Sequence, residues 1–479
     1  MHNQSYYTIF QGKMEWKSWW IWQNNLRITL SLFTSSGFRF IALKQVINRQ
    51  APFIPKIYTT CPRNKKKNNN TNNIKEIKGG VCAAKGFFAN GIYSGIKKKK
   101  TSKDLAIIYS ESLCAAAAVY TQNKVCGANI IVSKENLKNG KAKAIICNSG
   151  NANTCNKDGI EKAKAMCESV AKYLNIDKKD VAIASTGVIG VPLPIEPILK
   201  NIKLLIDNAK NSKEASKNTA NAIMTTDTFI KEISFSFEID GKEIKIGGIA
   251  KGSGMINPNM ATLLAFITTD ANISQKLLQK ALREDVKNTY NMISVDGDTS
   301  TNDMIVVLSN GEAKNKIIDK ENDNYKIFCK ALNMVNTYLS KSIAKDGEGA
   351  TKLIECEVIN AKDIEIARKI SKSVISSNLL KSAIFGCDMN WGRIACAIGY
   401  TNCKFDINKV SINVSSKFGN MNVFEKGYGL KFDEKKALKI LKEKEIKITV
   451  NMNSGKNKAA AWGCDLTYDY VKINGSYRS

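Results

Sequence analysis

The chain has 479 residues, 43% of them hydrophobic and 24% charged, with a formal net charge of +29. That length permits two to four domains, or one large one with a substantial core, and the absence of any apolar run of about 18 residues excludes a membrane-spanning helix. The positive charge does not read as a nucleic-acid footprint: lysines are scattered, often beside Asn as in 65–73, and no zinc-finger spacing, aromatic RNA-binding string or basic helix face accompanies them.

Residues 1–75 stand apart. They are rich in Trp (Trp16, Trp19, Trp20, Trp22) and in basic residues, and Glu15 is the one acidic residue before Glu76. The Lys/Asn tract that closes the stretch has linker composition. Two readings fit. One is an organelle transit peptide, which is typically basic and acid-poor. The other is a misassigned start upstream of a bacterial gene. No methionine lies between Met14 and Met166, so the second reading requires a non-Met start codon. The expected compartment is cytoplasmic, or a mitochondrial or plastid matrix if the stretch is a transit peptide.

From Gly80 the pattern is regular. Short apolar runs predict buried strands at Leu105–Tyr109, Ala128–Val132, Ala144–Cys147 and Val181–Ala184. A helix is predicted over Gly159–Leu174, where Ala163, Met166, Cys167, Val170, Ala171 and Leu174 follow a three-to-four spacing. Alternation from Phe229 to Ile246 around Asp240-Gly241 predicts a hairpin. Helices are expected over Ser274–Asn288, Asn322–Ser340 and Ile364–Leu380. Strands Val410–Val414 and Ile446–Val450 flank a Lys/Glu-rich helix near Asp433–Lys442. Mixed elements without steady βαβ alternation argue for α/β layers rather than a Rossmann fold.

Six stretches dense in Gly, Asn, Asp and Thr follow apolar segments: 148–153, 185–190, 225–228, 296–303, 346–352 and 386–393. One such loop is usually only a turn. Six are more than turns require, and sites are built on loops held by a rigid scaffold.

The chemistry is constrained by what is missing. The one histidine, His2, lies outside the body, so neither a Ser-His-Asp nor a Cys-His system can operate there. Thirteen cysteines are spread without a Cys-x-x-Cys pair, which points to reduced thiols and away from zinc, so no metal is expected. A threonine whose α-amine is freed by backbone cleavage needs no imidazole. In Met260-Ala261-Thr262, the Thr262 hydroxyl can attack the Ala261 carbonyl in an N-to-O acyl shift, and hydrolysis of the ester leaves Thr262 as a new N-terminus. Its amine, with a pKa near ~8, suits a base at neutral pH. The tripeptide alone carries no specificity, and by itself Thr262 reads as the start of a buried strand, Leu263–Ile267, with the nearby glycines forming a hairpin or bulge.

The wider context is specific. The run 251–271 is similar to the self-cleaving ornithine acetyltransferase family of arginine biosynthesis, and so, in order, are 148–153, 225–228, 295–303, 346–352, 388–393 and the end 470–479. The resemblance covers about residue 77 onward. It implies a layered αββα sandwich with a C-terminal α/β lobe, and cleavage between Ala261 and Thr262. The implied pieces are an α chain of 76–261 and a β chain of 262–479, associated as α2β2. The implied reaction is ping-pong: Thr262 takes the acetyl group of N-acetylornithine and passes it to glutamate, without a cofactor, some members also accepting acetyl-CoA. Thr186 and Gly187 match the oxyanion-hole pair. Thr225, Lys251 and Glu348 match substrate-binding positions, Lys251 toward a carboxylate and Glu348 toward the ornithine ammonium. Asn474 and Ser479 match a C-terminal binding pair; by position alone they are a frayed tail. Met389 stands where the family usually has proline. Two rival readings remain: an N-terminal-threonine amide hydrolase or aminopeptidase of similar fold, and a basic nucleic-acid-binding protein.

Overall fold

The computed structural model describes residues 74–257 and 263–476, with the backbone of three strands earlier in the chain. The chain forms two compact units, Met1–Thr71 and Asn72–Ser479. In the first, β1 (Trp19–Gln23), β2 (Leu26–Ser35) and β3 (Phe38–Val46) make an antiparallel meander.

The second unit is built on a mixed sheet. Its strands are β4 (Lys75–Ile77), β5 (Phe87–Ile92), β6 (Leu105–Tyr120), β7 (Lys141–Asn151), β8 (Val181–Val188), β9 (Lys231–Ile239), β10 (Lys242–Lys251), β11 (Leu264–Thr269) and, after a short β12 (Ile293–Ser294) that belongs elsewhere, β13 (Met304–Ser309). They run in the order β4-β9-β10-β11-β13-β6-β7-β8, with β5 on β6. The hairpin expected at Asp240-Gly241 joins β9 to β10, with Ile239 opposite Lys242. Both turn residues have positive φ, 50° and 72°, the type I′ geometry that matches strand twist.

β6 explains the architecture. Its first half pairs with β5 and β7, its second with β13, and the register slips between Tyr109 and Cys114. One face of it, Ala106, Ile108, Cys114 and Ala116, stays in a single core shared by Ile145, Ala182, Phe266 and Val306. Its other face serves two different cores. Leu105 and Ile107 meet α2 (Gly159–Leu174) and α3 (Ile195–Asp207). Ala117 and Val119 join the core of the helices Gln275–Val286 and Asp323–Lys345. The sheet therefore folds over on itself at β6, with helices outside each leaf, which gives the αββα layering expected. The second sheet, β12-β19-β14-β18-β15-β16-β17, forms the C-terminal lobe from β14 (Leu353–Ala361), β15 (Ser411–Ser416), β16 (Gly419–Glu425), β17 (Tyr428–Gly429), β18 (Glu445–Asn451) and β19 (Asn457–Cys464).

Three expectations need correcting. Ala128–Val132 is not a strand but the start of α1 (Ala128–Asn136). A five-residue apolar run does not distinguish a buried helix from a strand, and here tertiary bonding decides: the Ser133 hydroxyl donates to Ile183 O (2.6 Å) and accepts from Ile183 N (2.7 Å), fastening the helix to β8. The helix expected over Ile364–Leu380 is two, Ile364–Ser376 and Asn378–Phe385. Ser377 breaks it by turning extended and capping the second helix at Leu380 N. The stretches 148–153 and 185–190 are in large part strand, because β7 and β8 continue through them as far as Asn151 and Val188.

Candidate active site

β7 and β8 run parallel, with Ser149 beside Thr186 and Gly150 beside Gly187. Both glycines have positive φ, 99° and 131°. A Cβ on Gly187 would lie 2.3 Å from the Gly150 carbonyl carbon and 2.5 Å from Asn151 N. Only glycine permits this approach of backbone to backbone. Thr186 is buried, and its hydroxyl accepts from Lys251 Nζ at 3.3 Å.

Behind Thr186 lies a neutral network centred on Asn302. Its amide donates to Ser185 O (2.9 Å), Ala152 O (2.5 Å) and Asn129 Oδ1 (3.0 Å). Its oxygen accepts the hydroxyls of Thr154 and Thr301, both at 2.6 Å. The backbone just before the Thr186-Gly187 pair is thereby tied to two loops distant in sequence.

Facing it is a charged region. Lys251 ends β10, opposite Leu264 at the start of β11. Gly252 N donates to Asp227 Oδ1 (2.7 Å), and Thr225 N donates to Asp227 Oδ2 (3.0 Å). Burial by itself raises the Asp227 carboxyl. The ammonium groups of Lys231 and Lys251, with the Gly252 N–H, overcome it and hold the group at about 2. Glu348 is buried; its backbone N–H donates to Ser253 O (3.1 Å), and its carboxylate accepts from Asn474 Nδ2 at 2.8 Å. Asn474 lies on the last helix, Tyr468–Gly475, whose cap residue Thr467 donates to Gly349 O (2.7 Å). The chain end is thus docked on the 346–352 loop as far as Gly475.

These groups share one cavity of about 270 Å³, lined by Thr186, Gly187, Thr225, Lys251, Glu348 and Asn474. Leu263, the neighbour of Thr262, also lines it. Ala261, Thr262 and Ser479 lie outside the described residues. Five of the six polar stretches border the cavity. The sixth, 386–393, does not; it caps the helix Trp391–Gly399 through Asn390 and buries Met389. Sequence reasoning did not single out Thr226 or Ser300–Asp303 as lining residues, although they sit in stretches marked by composition. Among the described residues no cluster of three or more His, Cys, Asp or Glu is placed to hold a metal ion, and no helix is long and apolar enough to cross a membrane.

A hydroxyl beside a backbone N–H, with an ammonium and a carboxylate in the same cavity, suits acyl transfer from a small charged donor. The fold and site define an acyltransferase of the folded-sheet type.

The family model described as "ArgJ family" matches residues 88–479. An "Arginine biosynthesis bifunctional protein ArgJ" of Caldanaerobacter subterraneus subsp. tengcongensis is 52% identical over 404 residues, 84% of this chain and 99% of that protein. The "ArgJ 1" protein of Clostridium acetobutylicum is 53% identical over 394 residues, 82% of this chain and 96% of that protein. A crystal structure of the Bacillus halodurans arginine biosynthesis bifunctional protein argJ is 46% identical, covers 44% of this chain and 98% of its own, and superposes with a TM-score of 0.42. The chain belongs to the ArgJ family, and is an acetyltransferase of arginine biosynthesis.

Proposed function

We propose that the chain cleaves itself between Ala261 and Thr262 and then carries acetyl groups on the Thr262 hydroxyl, from N-acetylornithine to glutamate. The observation that carries this reading is the convergence of Thr186, Gly187, Thr225, Lys251, Glu348 and Asn474, drawn from five separate segments, on the cavity that Leu263 lines. The body offers no histidine to serve as base, and the free amine of Thr262 fills that role on the same residue as the nucleophile.

In the forward half-reaction Thr262 Oγ attacks the acetyl carbonyl, and its proton passes to the α-amine. The Gly187 N–H and the Thr186 hydroxyl meet the developing oxyanion; each such donor is worth roughly 3 kcal/mol in a dry site. Lys251 pairs with the substrate carboxylate, and Glu348, steadied by Asn474, pairs with the ornithine side-chain ammonium. The amine returns its proton to the leaving ornithine nitrogen. Glutamate then enters the same site, its carboxylate on Lys251, and takes the acetyl group. Ser479 is assigned, with Asn474, to substrate binding. The two chains, 76–261 and 262–479, stay together because β10 and β11 are adjacent strands of one sheet, and they assemble as α2β2. The chemistry uses side chains and the free amine, so the reading calls for no cofactor. Acetyl-CoA enters only as an alternative acetyl donor.

Intact-mass analysis of the purified chain tests the cleavage. Two fragments that divide before Thr262 are expected, with a single uncut and inactive chain for Thr262→Ala. A cut at that bond in the Thr262→Ala protein removes Thr262 from the reading.

A further inference from the structure

Beneath the charged side of the cavity lie three buried ions with no role in the chemistry above. Lys231 Nζ stands 2.7 Å from Asp227 Oδ1 and 2.5 Å from Asp346 Oδ2, with the side chains of Lys231 and Asp227 fully enclosed. Each carboxylate also grips backbone. Asp227 accepts from Thr225 N and Gly252 N. Asp346 accepts from Thr228 N (3.0 Å) and from the Thr228 hydroxyl, and its own carbonyl accepts from the Ser253 hydroxyl (2.6 Å). Ser253 O in turn receives the Glu348 N–H. One ammonium therefore joins the segments that present Thr225, Lys251 and Glu348.

Stability does not explain such an arrangement. Burying ions costs several kcal/mol each, and a buried ionic cluster is often no more stabilising than apolar side chains of the same volume. What charged acceptors supply is short, directional bonding to backbone N–H groups, and a carboxylate left buried without its cation is untenable. The cluster exchanges energy for geometry, at the place where the geometry faces substrate.

We infer that Lys231 is a positioning residue for substrate. By joining Asp227 to Asp346 it fixes Thr225, Lys251 and Glu348 relative to one another, while the backbone before Thr186 and Gly187 is held through Asn302; the two sides meet where Lys251 Nζ donates to the Thr186 hydroxyl. This rests on the acetyl-transfer reading given above.

The test compares two acetyl donors. N-acetylornithine carries the carboxylate and ammonium that the charged wall holds; p-nitrophenyl acetate carries neither and reports only on the nucleophile and the oxyanion hole. Lys231→Arg and Asp227→Asn are the informative variants, since Lys231→Met strands two carboxylates and endangers folding. In both, KM for N-acetylornithine is expected to rise on the order of tenfold or more, while the rate of enzyme acetylation by p-nitrophenyl acetate stays within about twofold of the parent. Unchanged KM in both variants overturns the inference. So does a proportional loss of both reactions in soluble, folded protein, which makes the triad a general scaffold. A parent protein that takes no acetyl group from p-nitrophenyl acetate overturns the acetyl-transfer reading and this inference with it.

Discussion

The cavity has two sides held by opposite means. Behind the backbone that leads into Thr186 and Gly187 the contacts are neutral, amides and hydroxyls converging on Asn302, and Lys251 Nζ adds a charged contact on the Thr186 hydroxyl. Beneath Thr225, Lys251 and Glu348 they are ionic, two carboxylates about one ammonium. A neutral hydrogen bond contributes about 1 kcal/mol net, while removal of one member of a buried ion pair costs about 3–5 kcal/mol. On the proposed acetyl-transfer reading the difference follows from the task. An oxyanion forms only in the transition state, and dipoles already oriented meet it without fixed charge. A zwitterionic substrate arrives charged, and its wall must present charges whose own burial has already been balanced. Damage to the first side should therefore appear in kcat, and damage to the second in KM.

The sharpest break in that contrast is Gly187→Ala. Its positive φ and the 2.3 Å approach to Gly150 leave no room for a methyl group, so the N–H must move. A fall in kcat on the order of 10³-fold is expected, with KM little changed; steady-state kinetics showing the loss in KM instead would assign Gly187 to the substrate side. Thr186→Ala removes one donor without touching the backbone, and kcat should drop about 10²-fold. Near-normal turnover takes Thr186 out of the hole.

On the charged side, Gly254→Ala places a methyl group 2.2 Å from Glu348 Oε2. A flexible carboxylate can yield, so the protein should fold, with KM for N-acetylornithine raised about tenfold and kcat nearly unchanged. An equal effect on a donor that lacks the ammonium would show that Glu348 is not its partner.

The smallest effect concerns acid stability. The folded-state pKa of Asp227 lies near 2, below its ordinary value of about 4, so it contributes stability that is present above pH ~4 and lost as pH falls through ~2. The stability gap between the parent and Asp227→Asn, on the order of 2 kcal/mol near neutral pH from this linkage, should close across that window in acid titrations of denaturant unfolding. A gap that persists at pH ~2 would mean that Asp227 acts through shape rather than charge.

The lining of both sides was legible in the sequence, and the buried cation that ties the charged side together was not. The stretches 148–153, 185–190 and 296–303 declare themselves by composition, and the structure brings all three to the cavity. Lys231 gives no such sign by composition: it is a lone cation in phase with Ile233, Phe235, Phe237 and Ile239, on the strand face that turns to the core, and it is enclosed. Its partner Asp346 is 115 residues away, and no local pattern encodes that distance. The fold shows the same division. Gly159–Leu174 and the Asp240-Gly241 hairpin obey local rules and stand as predicted. Ala128–Val132 took its conformation from what Ser133 reaches on β8. The helices Ile195–Asp207 and Lys213–Ile223 were not read from the sequence, although Ile198, Ile202, Leu205 and Ile206 keep a helical period in the first and Ser212 caps the second.

The account stands on an acetyl group carried by Thr262. Incubation of the purified protein with N-acetylornithine in the absence of glutamate, followed by peptide mass mapping, is the direct test. The account predicts one added acetyl group on the peptide that begins at Thr262, discharged when glutamate is supplied. Turnover without that adduct, or an acetyl group found on any other residue and discharged at the rate of turnover, would contradict it.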